Sequence, residues 1–182
     1  ISEDHFDNKT LSYIYNNILA GKEKQYVQLP DRKSLGNVYL SGDMEYYLNG
    51  CLSIPEGTTM IIDEGALIKA TGVSYIDVYG TLYINGKIGN EVIITNNNDP
   101  DYGGNGNVAY NSGIFIAVSG QAYINNLFLS YARGYHGGPI ESCGKLLLMN
   151  SKIDKIDPTS IASVLYNSPY SEQLIKYNSL AK

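Results

Sequence analysis

The sequence predicts an all-β fold wound as a parallel β-helix of about five turns, closed at its N-terminal end by a capping α-helix. Three observations lead there. Residues 51–90, CLSIPEGTTMIIDEGALIKATGVSYIDVYGTLYINGKIGN, repeat a short unit of two or three alternating apolar residues followed by a glycine-centred corner. From Val38 onward the apolar period is two, that of a strand with one buried face. A unit this short cannot bury its apolar side alone, so copies must stack, each strand hydrogen-bonding to the one a turn earlier.

The elements follow in chain order. Residues 9–20, KTLSYIYNNILA, place Leu11, Ile14, Ile18 and Leu19 at helical spacing, with Asp7 or Asn8 as N-cap and Gly21 just past the end. This short amphipathic helix is expected to cover the open end of the rod, where a first rung would otherwise expose core and strand edge. Residues 1–36 therefore read as a capping segment and 37–182 as the β-helix, together one structural domain. Val38 and Leu40 open the stack. Leu52 and Ile54 point inward before the corner at Pro55, Glu56 and Gly57, and Met60 and Ile62 before Asp63, Glu64 and Gly65. Ile68, then Ile76 and Val78 before Gly80, then Leu82 and Ile84 before Asn85 and Gly86, continue the interior. After Val92 and Ile94 the rhythm breaks at residues 96–107, NNNDPDYGGNGN, which read as a loop bulging from one corner. Strand pattern resumes at residues 113–132 and 145–156, and residues 162–166 and 173–177 look like a last turn whose outer rung docks onto further protein.

Composition narrows the function. A net charge of −5 with scattered Lys and Arg lacks the basic patch that nucleic acid or an anionic membrane requires. No run reaches the roughly 20 apolar residues of a membrane span. The start at Ile1 without Met reads as a mature or excised piece. Counting about fifteen strand-like runs at three per turn puts Cys51 and Cys143 three rungs, roughly 14 Å, apart, beyond the ~7 Å Cα limit of a disulfide. Two free thiols are expected.

The segments YLNGCLSIPEGTTMIIDEGALIKATG, VYGTLYINGKIGNEVIITN and AYINNLFLSYARGYHGGPIESCGKLLLMNSKID resemble the repeats of bacterial secreted right-handed β-helix proteins of the pectin-lyase-like superfamily. Those proteins commonly show an apolar-Pro-x-Gly corner, a Gly-Thr-Leu turn and an Asn-Ser-x-Ile strand end. The resemblance covers about residues 38–157, and the right hand of the coil follows from it alone. Where such relatives often carry Asp-Trp-Gly-Gly, this chain has Asn111, Ser112, Gly113 and Ile114, and no tryptophan anywhere. The resemblance implies an extracellular or cell-surface protein. It does not choose among polysaccharide lyases, glycoside hydrolases, adhesins and non-catalytic modules.

Cleavage of a polysaccharide would use outward carboxylates, paired for hydrolysis, or an acidic calcium site with a basic proton acceptor for a lyase. Most acidic residues sit at corners, where they read as solubilising turn residues. Asp77 is the exception, outward on a strand between Tyr75 and Tyr79. Arg133, His136 and Glu141 form a second candidate set around a glycine-rich bend, with Arg133 suited to a uronic-acid carboxylate. The plain alternative is an exposed polar bend. Asp99 and Asp101 are the candidate calcium ligands, a flexible loop being the alternative. No His or Cys cluster has metal-ligand spacing, and no cofactor is expected.

Tyrosine is the outlier, seventeen against three phenylalanines. Alternation turns Tyr75, Tyr79 and Tyr83 outward, and Tyr102, Tyr110, Tyr131 and Tyr135 lie in or beside the loop and bend. Exposed tyrosine faces stack on sugar rings with the hydroxyl hydrated, although strand propensity alone also favours tyrosine. The leading expectation is a non-catalytic module binding carbohydrate or a cell-surface protein. A polysaccharide lyase or hydrolase is the alternative, and a structural spacer of a longer surface fibre the third.

Overall fold

The computed structural model describes residues 26–29, 36–42, 44–109, 112–134, 138–156, 165–167, 172–176 and 179–180. They form a three-walled solenoid of parallel strands. The first wall holds β1 (Tyr26–Leu29), the first half of β3 (Glu45–Ile54), the first half of β5 (Leu67–Val78), β7 (Val92–Asn96), β10 (Leu127–Ser130), β13 (Lys152–Asp154) and β16 (Ser179–Leu180). The second holds the remaining halves of β3 and β5, then β8 (Ser112–Ile116), β11 (Ile140–Ser142) and β14 (Leu165–Asn167). The third stacks β2 (Val38–Leu40), β4 (Thr59–Asp63), β6 (Thr81–Asn85), β9 (Gln121–Asn125), β12 (Lys145–Met149) and β15 (Glu172–Lys176). Six strands on that wall bound five turns, as the repeat count predicts.

Alternation places the expected residues inside. Met60, Leu82, Ala122 and Leu146 pair rung to rung down the third wall, and Ile62, Ile84, Ile124 and Leu148 form the next inward column. Leu52, Ile76, Ile114 and Ile140 do the same on the second wall. All twelve are essentially excluded from solvent. Each such Leu or Ile contributes about 1.5–3 kcal/mol of burial. Pairing also satisfies the backbone groups of every inner strand, so neither the apolar column nor the hydrogen-bond ladder stands without the other.

The corners are tight. Between the third and first walls the later turns change direction through single left-handed residues, Asn126 at φ 50° and Asn150 at φ 51°, a conformation asparagine tolerates better than most side chains. The Asn126 amide donates to the Gly86 carbonyl at 3.1 Å, tying that corner to the turn beneath.

Three expectations need adjusting or fall elsewhere. Parallel pairing begins at Tyr26 with β1, earlier than Val38, because residues 26–29 meet the first half of β3 in register. Residues 96–107 do not bulge freely; they fold back over the first wall. There a 3-10 helix, Pro100–Tyr102, is capped by Asp99, and the Tyr102 ring meets Phe128 at 6.4 Å. The helix expected over 9–20 lies outside the described residues. Cys51 and Cys143 are free thiols, as the rung count requires.

Ile84→Ala, at a position flanked above and below by other isoleucines, is expected to destabilise the protein by about 2–5 kcal/mol in denaturant titration. A loss well below 1 kcal/mol would show that the column is not the core.

Candidate functional site

The second wall brings together the residues singled out on chemical grounds. Its inward positions, Ile76 and Val78, join the core, which leaves Tyr75 and Asp77 on the outer side of β5. Register sets Asp77 beside Ser53 on one neighbouring strand and Phe115 on the other. Phe115 in turn pairs with Glu141, so Ser53, Asp77, Phe115 and Glu141 form one outward column. Two strand spacings separate Asp77 from Glu141, about 10 Å between Cα atoms.

The parallel column has Cys51, Tyr75 and Gly113. Gly113 is required there by space. A Cβ on it would lie 2.8 Å from the Arg133 carbonyl, 3.1 Å from that of Pro139 and 3.2 Å from the Tyr75 ring. The chain around Arg133 thus comes down onto the wall over Gly113, held by the Arg133 amide donating to the Ser112 carbonyl at 2.8 Å. Gly134 passes directly over the Glu141 carboxylate, which is 1% exposed. Tyr75, on an outer face, is covered to 5% exposure. Sequence alternation gives its direction and not this cover, because the covering chain comes from 58 residues further along.

Electrostatics mark Asp77. Its Oδ1 is buried and accepts no hydrogen bond, and burial pushes its carboxyl above the ordinary range. Ser112 Oγ is the other such unpartnered atom among the described residues, on the strand that carries Phe115. Burial also raises the Tyr75 hydroxyl; Arg133 pulls it down, while Glu141, Cys51 and Asp77 push it up. Tyr75 therefore feels all four groups, and the set is one electrostatic neighbourhood. Desolvated carboxylates beside aromatic rings are more common at binding and catalytic sites than elsewhere on a surface.

The remaining candidates are dispersed. Tyr79 lies at the corner between the second and third walls, 41% exposed. Tyr83 is on the third wall, where its ring stacks on Tyr123 at 5.0 Å and 13°. Stacked along the rod, the two rings cover one face of each other, and Tyr83 remains 36% exposed. The Tyr39 hydroxyl on that wall donates to Asp63 and that of Tyr123 to Gln121. Tyr102 packs on the first wall, and Tyr131 takes a left-handed corner at φ 52° under the Lys155 ammonium. Tyr110, Tyr135 and His136 lie outside the described residues.

The acidic loop residues are engaged by protein. Asp99 is fully buried, its Oδ1 accepting the Asp101 amide at 3.1 Å and its Oδ2 the Thr95 hydroxyl at 2.6 Å. Asp101 pairs with Lys155 at 2.6 Å. No group of three or more His, Cys, Asp or Glu suited to a metal occurs among the described residues. Phe115 went unnoticed in the sequence. Its signal was available, as the one outward residue of Ile114, Phe115 and Ile116, but its pairing with Asp77 is not local.

No family model, curated protein or solved structure matches the chain.

Two outcomes check this geometry. Because burial raises Asp77, the folded protein retains a proton that the unfolded chain has lost, and stability from this group falls as pH rises from the unfolded value of about 3.9 through the raised one. Asp77→Asn is therefore expected to melt above the wild type at neutral pH, with the gap closing in acid; a gap independent of pH would contradict it. Gly113→Ala is expected to cost about 1–3 kcal/mol, as overpacking does. An unchanged melting temperature would mean that the Arg133 segment does not rest on the wall.

Proposed function

We propose that this chain is a non-catalytic, extracellular binding module of a bacterial surface or secreted protein, and that it takes carbohydrate on the second wall. The partly exposed Asp77 carboxyl beside Phe115 carries this reading. Asp77 is partly exposed, so a sugar hydroxyl donates to its carboxyl from the solvent side and not at the buried Oδ1. The apolar ring next to it suits the C–H face of the same sugar. The right-handed coil and a place in the pectin-lyase-like superfamily belong to this reading, supported by the parallel solenoid and the repeat motifs.

Hydrolysis is the second reading, favoured by one observation. A carboxyl raised by burial is suited to donate a proton, and Glu141 stands in the same column. Against it, Glu141 lies under Gly134, closed to an attacking water.

A glycan array probed with the wild type and Asp77→Ala separates these. Specific retention, lost by at least about tenfold in a variant of unchanged circular dichroism and with no reducing ends released, is the expected result. Release of reducing sugar would make the protein a hydrolase. Retention unaffected by Asp77→Ala, or none at all, would overturn the placement or the ligand class.

A further inference from the structure

We infer that the third wall is a dimer interface, covered in solution by the third wall of a second copy of this chain. The inference stands apart from the carbohydrate reading of the second wall.

Regular pairing makes this wall one even surface. Its strands stack with no register shift, so outward side chains stand in straight columns along the rod. The central column runs through Ile61, Tyr83, Tyr123 and Leu147, apolar or aromatic at four successive rungs. Tyr79 and Val118 extend it at the corner leading into the wall. With Tyr83 they make three of the five exposed large hydrophobic side chains among the described residues. The other two walls are overlaid by segments of the chain itself, and a concentration of apolar surface on the remaining wall marks a contact face.

Charge, hydrogen bonding and area select a second copy as the occupant. The outward charges on β4, β6, β9 and β12 are Asp63 and Lys145, one of each sign and both off the central column, so the wall is neutral although the chain carries −5. Two identical walls therefore meet in a two-fold contact without like charges massed against each other. Beside Tyr83 and Tyr123 stand Thr81, Asn85, Gln121 and Asn125, side chains that both donate and accept, so the same face answers each of them. Six rungs at ~4.8 Å and about seven residues of width, corner included, give a face of roughly 24 by 23 Å. Two copies would bury about 1,100 Å², just above the ~1,000 Å² of a specific contact, which makes the dimer a weak one. It leaves two second walls facing outward, so a ligand repeated along a surface is held at two points.

Sedimentation equilibrium of the whole chain across the micromolar range tests this. A monomer–dimer equilibrium is expected, its dissociation constant raised at least about thirtyfold by Tyr83→Lys and, separately, by Tyr83→Glu, with circular dichroism unchanged. Mixing these two variants is expected to restore the dimer, which loss of fold would not allow. Val73→Lys, at an exposed apolar position where β5 turns from the first wall to the second, is expected to associate like the wild type. A wild type that stays monomeric, a dimer indifferent to Tyr83→Lys, a mixture that does not re-associate, or an equal loss in Val73→Lys would overturn the inference.

Discussion

Everything in this protein depends on the in-register parallel pairing of each strand with the strand one turn earlier. A rung by itself is a few apolar residues and a corner. Stacked, it gains a full ladder of backbone hydrogen bonds and a continuous inner column in the same step. Because side chains alternate strictly, fixing the inner column fixes the outer ones, rung by rung. The outward row of Ser53, Asp77, Phe115 and Glu141 is the reverse side of the row Leu52, Ile76, Ile114 and Ile140.

Irregularity is confined to corners, and the corners cover the walls. The insertion after β7 lies on the first wall, where it buries the hydroxyls of Thr95 and Ser130 against Asp99. The segment after β10 descends on the second wall, where it covers Glu141 and leaves Asp77 partly accessible. The third wall has no such cover among the described residues. Its Tyr83 and Tyr123 stack on each other, a cross-strand pair that stabilises the sheet by itself. The walls thus differ in what covers them and in what each leaves unpartnered.

Inner positions were legible in the sequence because they depend on local alternation: Val38, Leu40, Leu52, Ile54, Met60, Ile62, Leu82 and Ile84 are all buried as their spacing predicts. Corners marked by Gly57 and Gly65 were legible for the same reason, since both take positive φ. The outer surface was legible only in part. Alternation gives a direction, outward, but not which wall, because that depends on the number of residues each corner consumes. Tyr75 and Tyr83 look alike in sequence and stand on different walls. Asp77 and Phe115 are separated by 37 intervening residues and the longest insertion, and only the rung register makes them neighbours. The left-handed Tyr131 and Lys155 corners carried no glycine to announce them.

The most direct measurement is a carbon-detected NMR titration of the Asp77 carboxyl in the free protein and with sugar bound. A wall that buries this group without a partner predicts a midpoint above the ordinary aspartate value when free, falling once a sugar hydroxyl donates to the carboxylate. A free-protein midpoint at or below the ordinary value would mean that Asp77 is already solvated or paired, and the second wall would lose its claim to be the binding site.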